Sequence, residues 1–105
     1  MALLHADDKS FDSMIKTDLA LVDFWASWCG PCRMFGPTFE DSAKKHPNVS
    51  HIKFEITESS RQIPGKYGIR SIPSVLAFKN GNLIESRTGL MDSDTLDAWI
   101  AELKR

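Results

Sequence analysis

The chain has 105 residues, 42% of them hydrophobic and 26% charged, with a formal net charge of −1. These values suit one ordinary globular domain, with enough apolar residues for a core that needs no disulfide or metal staple. A near-neutral chain offers no basic field for nucleic acid or an anionic membrane surface, and no apolar run approaches the roughly 20 residues that span a bilayer.

The opening stretch, Met1 to Asp8, lacks a basic segment followed by a long apolar one, so the expectation is a cytoplasmic protein without a signal peptide. Residues 2–5 are predicted to form a short first strand. Asp7, Asp8 and Ser10 offer helix caps ahead of Phe11, Met14 and Ile15 at helical spacing, which predicts a helix over 8–17. Residues 19–26 are apolar almost throughout, the pattern of a strand covered on both faces in a parallel sheet. Trp28-Cys29-Gly30-Pro31-Cys32 follows and holds both cysteines of the protein. Pro31 suits the first turn of a helix, where a missing N–H costs nothing and the fixed φ is already helical. That helix is predicted to continue to about His46 on Met34, Phe35, Phe39 and Ala43, kinked at Pro37 and ended by Pro47-Asn48.

His51 to Ile56 alternates polar and apolar residues, a third strand. Residues 59–67 read as a short helix and 73–78 as a strand. Lys79-Asn80-Gly81-Asn82 carries the Asn-Gly signal of a hairpin turn, with a returning strand over 83–88 closed by Gly89. Asp92, Ser93 and Asp94 offer caps for a last amphipathic helix bearing Leu96, Trp99, Ile100 and Leu103. Strands alternate with helices until the hairpin. The prediction is therefore an α/β fold in one domain over 1–105, a mixed sheet of about five strands flanked by four helices.

Disulfide exchange needs a thiolate to attack, a second thiol to resolve the mixed disulfide, and access for the substrate. A helix N-terminus at Cys29 would supply partial positive charge and free N–H groups to a thiolate. Cys32, one turn further in, would keep its proton longer and act as the resolving thiol. The same Cys-x2-Cys is half of a zinc site: His46 follows after thirteen intervening residues, and His46-x4-His51 completes a finger spacing. Pro47 and Asn48 break the helix that would carry both histidines, and the segment is embedded between apolar strands, so no metal is expected. His46 and His51 read instead as solvated residues flanking a turn.

Asp23 interrupts an apolar strand. Either its head reaches water at a strand edge, or it is buried, where desolvation raises its pKa and suits it to draw the proton from Cys32. Lys53, on the next strand, is its candidate charge partner. Ile72-Pro73 starts a strand, and since only about 5–6% of X–Pro bonds are cis, trans is the expectation from base rate. Trp25 and Trp28 are core or rim aromatics, set where a substrate chain would pass.

At these residues the chain resembles the thioredoxin family. The run from Val22 to Cys32 is similar to that family's active-site segment nearly letter for letter. Lys66 to Ser74 is similar to its second signature, and Phe78-Lys79-Asn80-Gly81 and Gly89 match its hairpin and following glycine. The resemblance covers essentially the whole chain. It implies the thioredoxin fold and a protein dithiol–disulfide oxidoreductase, with Cys29 attacking, Cys32 resolving, and Asp23 and Lys53 as the buried carboxylate and its neighbour. It also implies a cis bond before Pro73, and a substrate-facing surface of Trp28, Gly30, Pro31, Ile72, Pro73 and Gly89. The cofactor requirement it implies is a redox-active Cys29–Cys32 disulfide with nothing bound. NADPH enters indirectly, through a flavin-dependent thioredoxin reductase that returns electrons after each disulfide-containing protein substrate is reduced. A monomer is the default at this size. Other readings remain open: a subunit or clamp for a partner, which would survive loss of both cysteines, and an oxidase or isomerase of an oxidising compartment. The chain departs from the family pattern at Thr57, often Asp, in the segment Glu58 to Gln62, at Ser71 beside Pro73, and at Arg33, often Lys. The changes at Thr57 and Ser71 bear on partner choice.

Overall fold

A five-stranded sheet organises the computed structural model, which describes residues 3–105. Its strands are β1 (Leu3–Ala6), β2 (Ala20–Trp25), β3 (Ser50–Glu55), β4 (Ser74–Lys79) and β5 (Asn82–Thr88), laid side by side as β1-β3-β2-β4-β5. The first three in that row are parallel, while β4 and β5 run antiparallel to their neighbours. Four helices complete the chain: α1 (Phe11–Met14), α2 (Gly30–Lys45), α3 (Gln62–Lys66) and α4 (Ser93–Leu103). The mixed α/β sheet with helices on both faces is the architecture expected from the element order, and the predicted strand position 2 lies outside the described residues.

The alternation of side chains along each strand sorts the core into two layers. On one face Leu21, Val75 and Ala77 pack with Phe35 and Phe39 of α2 and with Leu96, Trp99 and Ile100 of α4. On the other, Val22, Phe24, Ile52, Phe54 and Phe78 pack with Phe11 of α1 and Ile63 of α3. Burial on both sides explains why β2 and β4 are apolar nearly end to end. It also puts Asp23, in step with Leu21, on the face covered by α2.

Two helices are shorter than predicted, for reasons that involve the same acidic pair. Asp7 closes a turn on its own neighbours: its Oδ1 accepts from the backbone N–H groups of Lys9 and Ser10, at 3.0 and 2.9 Å, and from the Ser10 hydroxyl. Residues 8–10 are thereby held as turn, and α1 begins only at Phe11. Asp8 is turned outward to α3, where its two carboxylate oxygens accept the N–H groups of Gln62 and Ile63, each at 2.9 Å. That helix has no side-chain cap of its own. It starts at Gln62 because Thr57 to Ser60 forms a separate turn, with Ser60 N–H donating to the Thr57 carbonyl. α2 continues without interruption through Pro37. The hairpin takes its predicted place, with Asn80 and Gly81 both left-handed at φ 52° and 84°, the pair of positive φ values a two-residue primed turn requires.

Candidate active site

β2 delivers the chain to the site and α2 carries it away. Past Trp25 the chain turns back, the Cys29 N–H donating to the Ala26 carbonyl at 3.1 Å. Cys29 is then extended, at φ −94° and ψ 113°, and serves as the N-cap of α2, its Sγ accepting the Cys32 N–H at 3.1 Å. A sulfur here occupies the place a Ser or Asp oxygen takes at other helix starts, and it satisfies one orphan donor of the first turn, the Cys32 N–H. Pro31 sits in that first turn, as its missing donor allows. The Arg33 guanidinium donates to the Ser27 carbonyl at 3.0 Å and ties the start of the helix to the loop before it. Cys29 and Cys32 are joined as a disulfide across this turn, with Cα atoms 5.2 Å apart.

The second wall comes from the segment before β4. The Ile72–Pro73 peptide is cis, as the family resemblance implies and against the general base rate. The Ile72 carbonyl oxygen lies 3.8 Å from Cys29 Sγ, and the Gly89 N–H donates to the Pro73 carbonyl at 2.8 Å. Ile72, Pro73 and Gly89, separated in sequence, are thus gathered beside the disulfide. Gly89 has φ +98°, a conformation that favours glycine at this close approach. Both cysteines are largely buried, while Pro31 is exposed and Gly30 half-buried. Trp28 is 76% exposed and projects from the rim, whereas Trp25 and Ile72 pack against the disulfide from below and beside it.

Asp23 is buried, with 1% of its surface exposed, so its head does not reach water. Neither carboxylate oxygen has a hydrogen-bond partner among the described residues. Burial pushes its carboxyl up to about 7, opposed in part by the charge of Lys53. Lys53 is its register partner on β3, but the ammonium does not form an ion pair with Asp23. It lies 3.4 Å from Glu40 of α2 and 4.8 Å from the centre of the Trp25 ring. Glu40 is a residue that motif reading passed over; the signal was its spacing, eight residues after Cys32 and four after Gly36, on one face of α2.

The reading of the two histidines as solvated is corrected for His51, which is fully buried against Phe39. Its Nδ1 donates to the Val49 carbonyl at 3.0 Å, and its Nε2 therefore accepts from the Ser42 hydroxyl at 2.9 Å in the neutral ring. Burial pushes the imidazole down to about 4, with the Val49 bond opposing and nearby His46 adding to the shift. A polar residue on the inward face of β3 is admitted because both ring nitrogens are satisfied. His46 is partly buried and pairs with Asp97 of α4 at 3.0 Å. These engagements hold the histidines apart from the cysteines, and no group of three or more His, Cys, Asp or Glu among the described residues is placed to hold a metal.

A family model described as thioredoxin matches residues 2–102. The chain is 48% identical over 99 residues to the thioredoxin of Rickettsia bellii, covering 91% of this chain and 93% of that one. It is 35% identical over 101 residues to the thioredoxin of Bacillus subtilis, covering 95% and 96%. Among solved structures, the thioredoxin of Malassezia sympodialis superposes with a TM-score of 0.84 at 32% identity, covering 97% of this chain and 93% of that one. With its cysteine pair closed across the first turn of α2, the chain belongs to the thioredoxin family and is a protein dithiol–disulfide oxidoreductase.

Proposed function

We propose that the protein works in the cytoplasm, as a monomer, as a general reductant of protein disulfides, recycled by a thioredoxin reductase that draws on NADPH. The observation that carries this reading is the Cys32 N–H aimed at Cys29 Sγ from the first turn of a 16-residue helix. In the reduced protein the same donor and the positive end of the helix favour a thiolate at Cys29. That thiolate attacks one sulfur of a substrate disulfide; a Cys29–substrate bond forms, the substrate S–S bond breaks, and the first substrate thiol leaves. Cys32 then loses its proton and attacks Cys29 Sγ. The internal disulfide forms, the mixed disulfide breaks, and the second substrate thiol leaves with the electron pair. Two electrons have passed to the substrate. Asp23 is the acceptor for the Cys32 proton, its raised pKa matching it to a proton that moves near neutrality. Lys53 is the charge that tempers that shift.

Trp28, Gly30, Pro31, Ile72, Pro73 and Gly89 form the substrate-facing surface. An extended substrate segment would pair with the backbone next to Pro73 and bring its sulfur to Cys29. Among the described residues no helix is long and apolar enough to cross a membrane, and a near-neutral chain suits protein substrates better than nucleic acid.

The test is NADPH-dependent reduction of a disulfide-bonded protein such as insulin, with a thioredoxin reductase present. Cys29→Ser is expected to abolish turnover, and Cys32→Ser to stall as a substrate adduct on Cys29 that reducing agent releases. An adduct on Cys32 instead, in Cys29→Ser, would overturn the assignment of the two thiols. A function that persists without either cysteine would mark a binding role instead.

A further inference from the structure

Lys53 occupies an unusual position for a buried-side cation. It is only 12% exposed, it is the register partner of Asp23 on adjacent parallel strands, and its side chain leaves the sheet on the same face. Neighbouring strands are about 4.8 Å apart, within easy reach of a four-carbon stem, so a Lys53–Asp23 pair would need no more than a change of rotamer. The pair is not made. The ammonium is instead carried across the Trp25 ring to the Oε2 of Glu40, and it passes α2 at Gly36, where a Cβ would lie 3.7 Å from Nζ.

We propose that Glu40 is a positioning residue: it holds the Lys53 ammonium out at the rim of α2 and so sets the charge state of Asp23 by denying it an ion pair. The link to the exchange reaction rests on the role of Asp23 proposed above; the placement of Lys53 does not. The ionisable residues on this side of the sheet are Lys53, His51 and Glu55 on β3, His5 beside Lys53 on β1, Glu85 and Arg87 on β5 against Trp99, and Cys32 and Glu40 on α2. β4 opposes Asp23 with Val75, and the buried face of α4 is apolar. Lys53 is the cation beside Asp23, with Arg87 a strand further out beyond Val75, and its charge is the one that opposes the rise of the Asp23 carboxyl. Glu40 itself is half exposed, with 49% of its side chain in water. It can therefore be neutralised without opening the core.

The titration of the Asp23 side-chain carboxyl, followed by carbon NMR in the oxidised full-length protein, tests this while the thiols cannot titrate. Glu40→Gln frees Lys53 to turn inward, and the Asp23 midpoint is expected to fall by about one unit or more, the usual effect of an opposite charge at close range. Lys53→Met is expected to raise it. In the Lys53→Met background Glu40→Gln should then move the midpoint far less. An unmoved midpoint in Glu40→Gln overturns the proposal, as does an equal shift with and without Lys53, which would be simple repulsion between two carboxylates. The pH dependence of mixed-disulfide resolution separates the two readings. If the Asp23 midpoint shifts as expected and the rate profile does not follow, Glu40 still positions Lys53 and the proton-acceptor role of Asp23 falls.

Discussion

Asp23 and His51 sit on the same face of the sheet and are pushed by the same loss of water, one upward and one downward. For Asp23 the native value is about 7 against an ordinary 3.8. Between those limits the native state keeps a proton that the unfolded chain has released, so stability falls as pH rises through the interval, and the full cost applies above pH 7. Three units at 1.36 kcal/mol each come to roughly 4 kcal/mol. Asp23→Ala is expected to gain on wild type by that order between pH 4 and pH 8 in urea unfolding. A constant difference would show that the carboxylate finds a partner the fold does not display. His51 carries the opposite sign. Its native value of about 4 lies below the ordinary 6.5, so the unfolded chain takes up a proton first as pH falls, and stability is lost from pH 6.5 down to 4. The size is on the order of 3 kcal/mol. His51→Gln should be less stable than wild type at pH 7, having lost two satisfied buried bonds, yet should lose less than wild type on acidification to pH 4. Sequence pattern alone made Asp23 conspicuous, because a carboxylate inside an apolar run has few explanations. It hid His51, because alternation in β3 looked like a strand with one wet face, and a histidine whose partners are a serine and a carbonyl leaves no motif.

At the scale of elements, the strands were legible to within a residue or so: burial on both faces writes itself into β2 and β4 as nearly unbroken apolar runs, β3 shows as alternation, and Asn80-Gly81 marks the turn that places β5. The short helices were not. Asp7 and Asp8 look like caps for the helix that follows them in sequence, and one of them caps α3, more than fifty residues away. Local propensity cannot show a cap delivered from another part of the chain. Asp8→Ala is accordingly expected to destabilise the protein by about 1 kcal/mol, the usual value of a lost N-cap, with amide exchange accelerated at Gln62 and Ile63 and not in α1. Acceleration confined to α1 would restore the sequence-local cap. Gly81 marks the opposite case, where one residue decides the element. At φ +84°, with the Lys16 side chain 3.4 Å from where a Cβ would stand, Gly81→Ala should lower stability by roughly 1 kcal/mol or more in thermal unfolding.

Taken over the whole molecule, the two buried groups nearly cancel. Between pH 4 and pH 6.5 Asp23 lowers stability with rising pH while His51 raises it, each by one proton per molecule. Stability from these two groups is therefore level across that range and declines only toward pH 7. In Asp23→Ala the compensation is gone, and the unfolding free energy should climb steeply from pH 4 to 6.5. The candidate site shows the same division between what a sequence displays and what a fold assembles. Cys29, Pro31 and Cys32 fall within four consecutive residues, and helix geometry alone relates them. Gly89 and Pro73 meet only through a backbone bond across the β4–β5 end of the sheet, and the Lys53–Glu40 pair exists only because α2 crosses β3 at that height.

The three tryptophans occupy three optically distinct places. Trp99 is wholly enclosed between α4 and the sheet, its indole N–H donating to Glu85 at 2.7 Å with the Arg87 guanidinium over the ring. Trp28 stands in water next to Cys29, and Trp25 lies half covered against the disulfide. Emission from the red edge, sensitive to acrylamide, therefore belongs mainly to Trp28, and the blue, unquenched component to Trp99. Opening or closing the cysteine pair should modulate Trp25 and Trp28 and leave the Trp99 signal in place until the sheet itself melts. One cuvette can thus follow redox state and folding as separate colours, with no label attached.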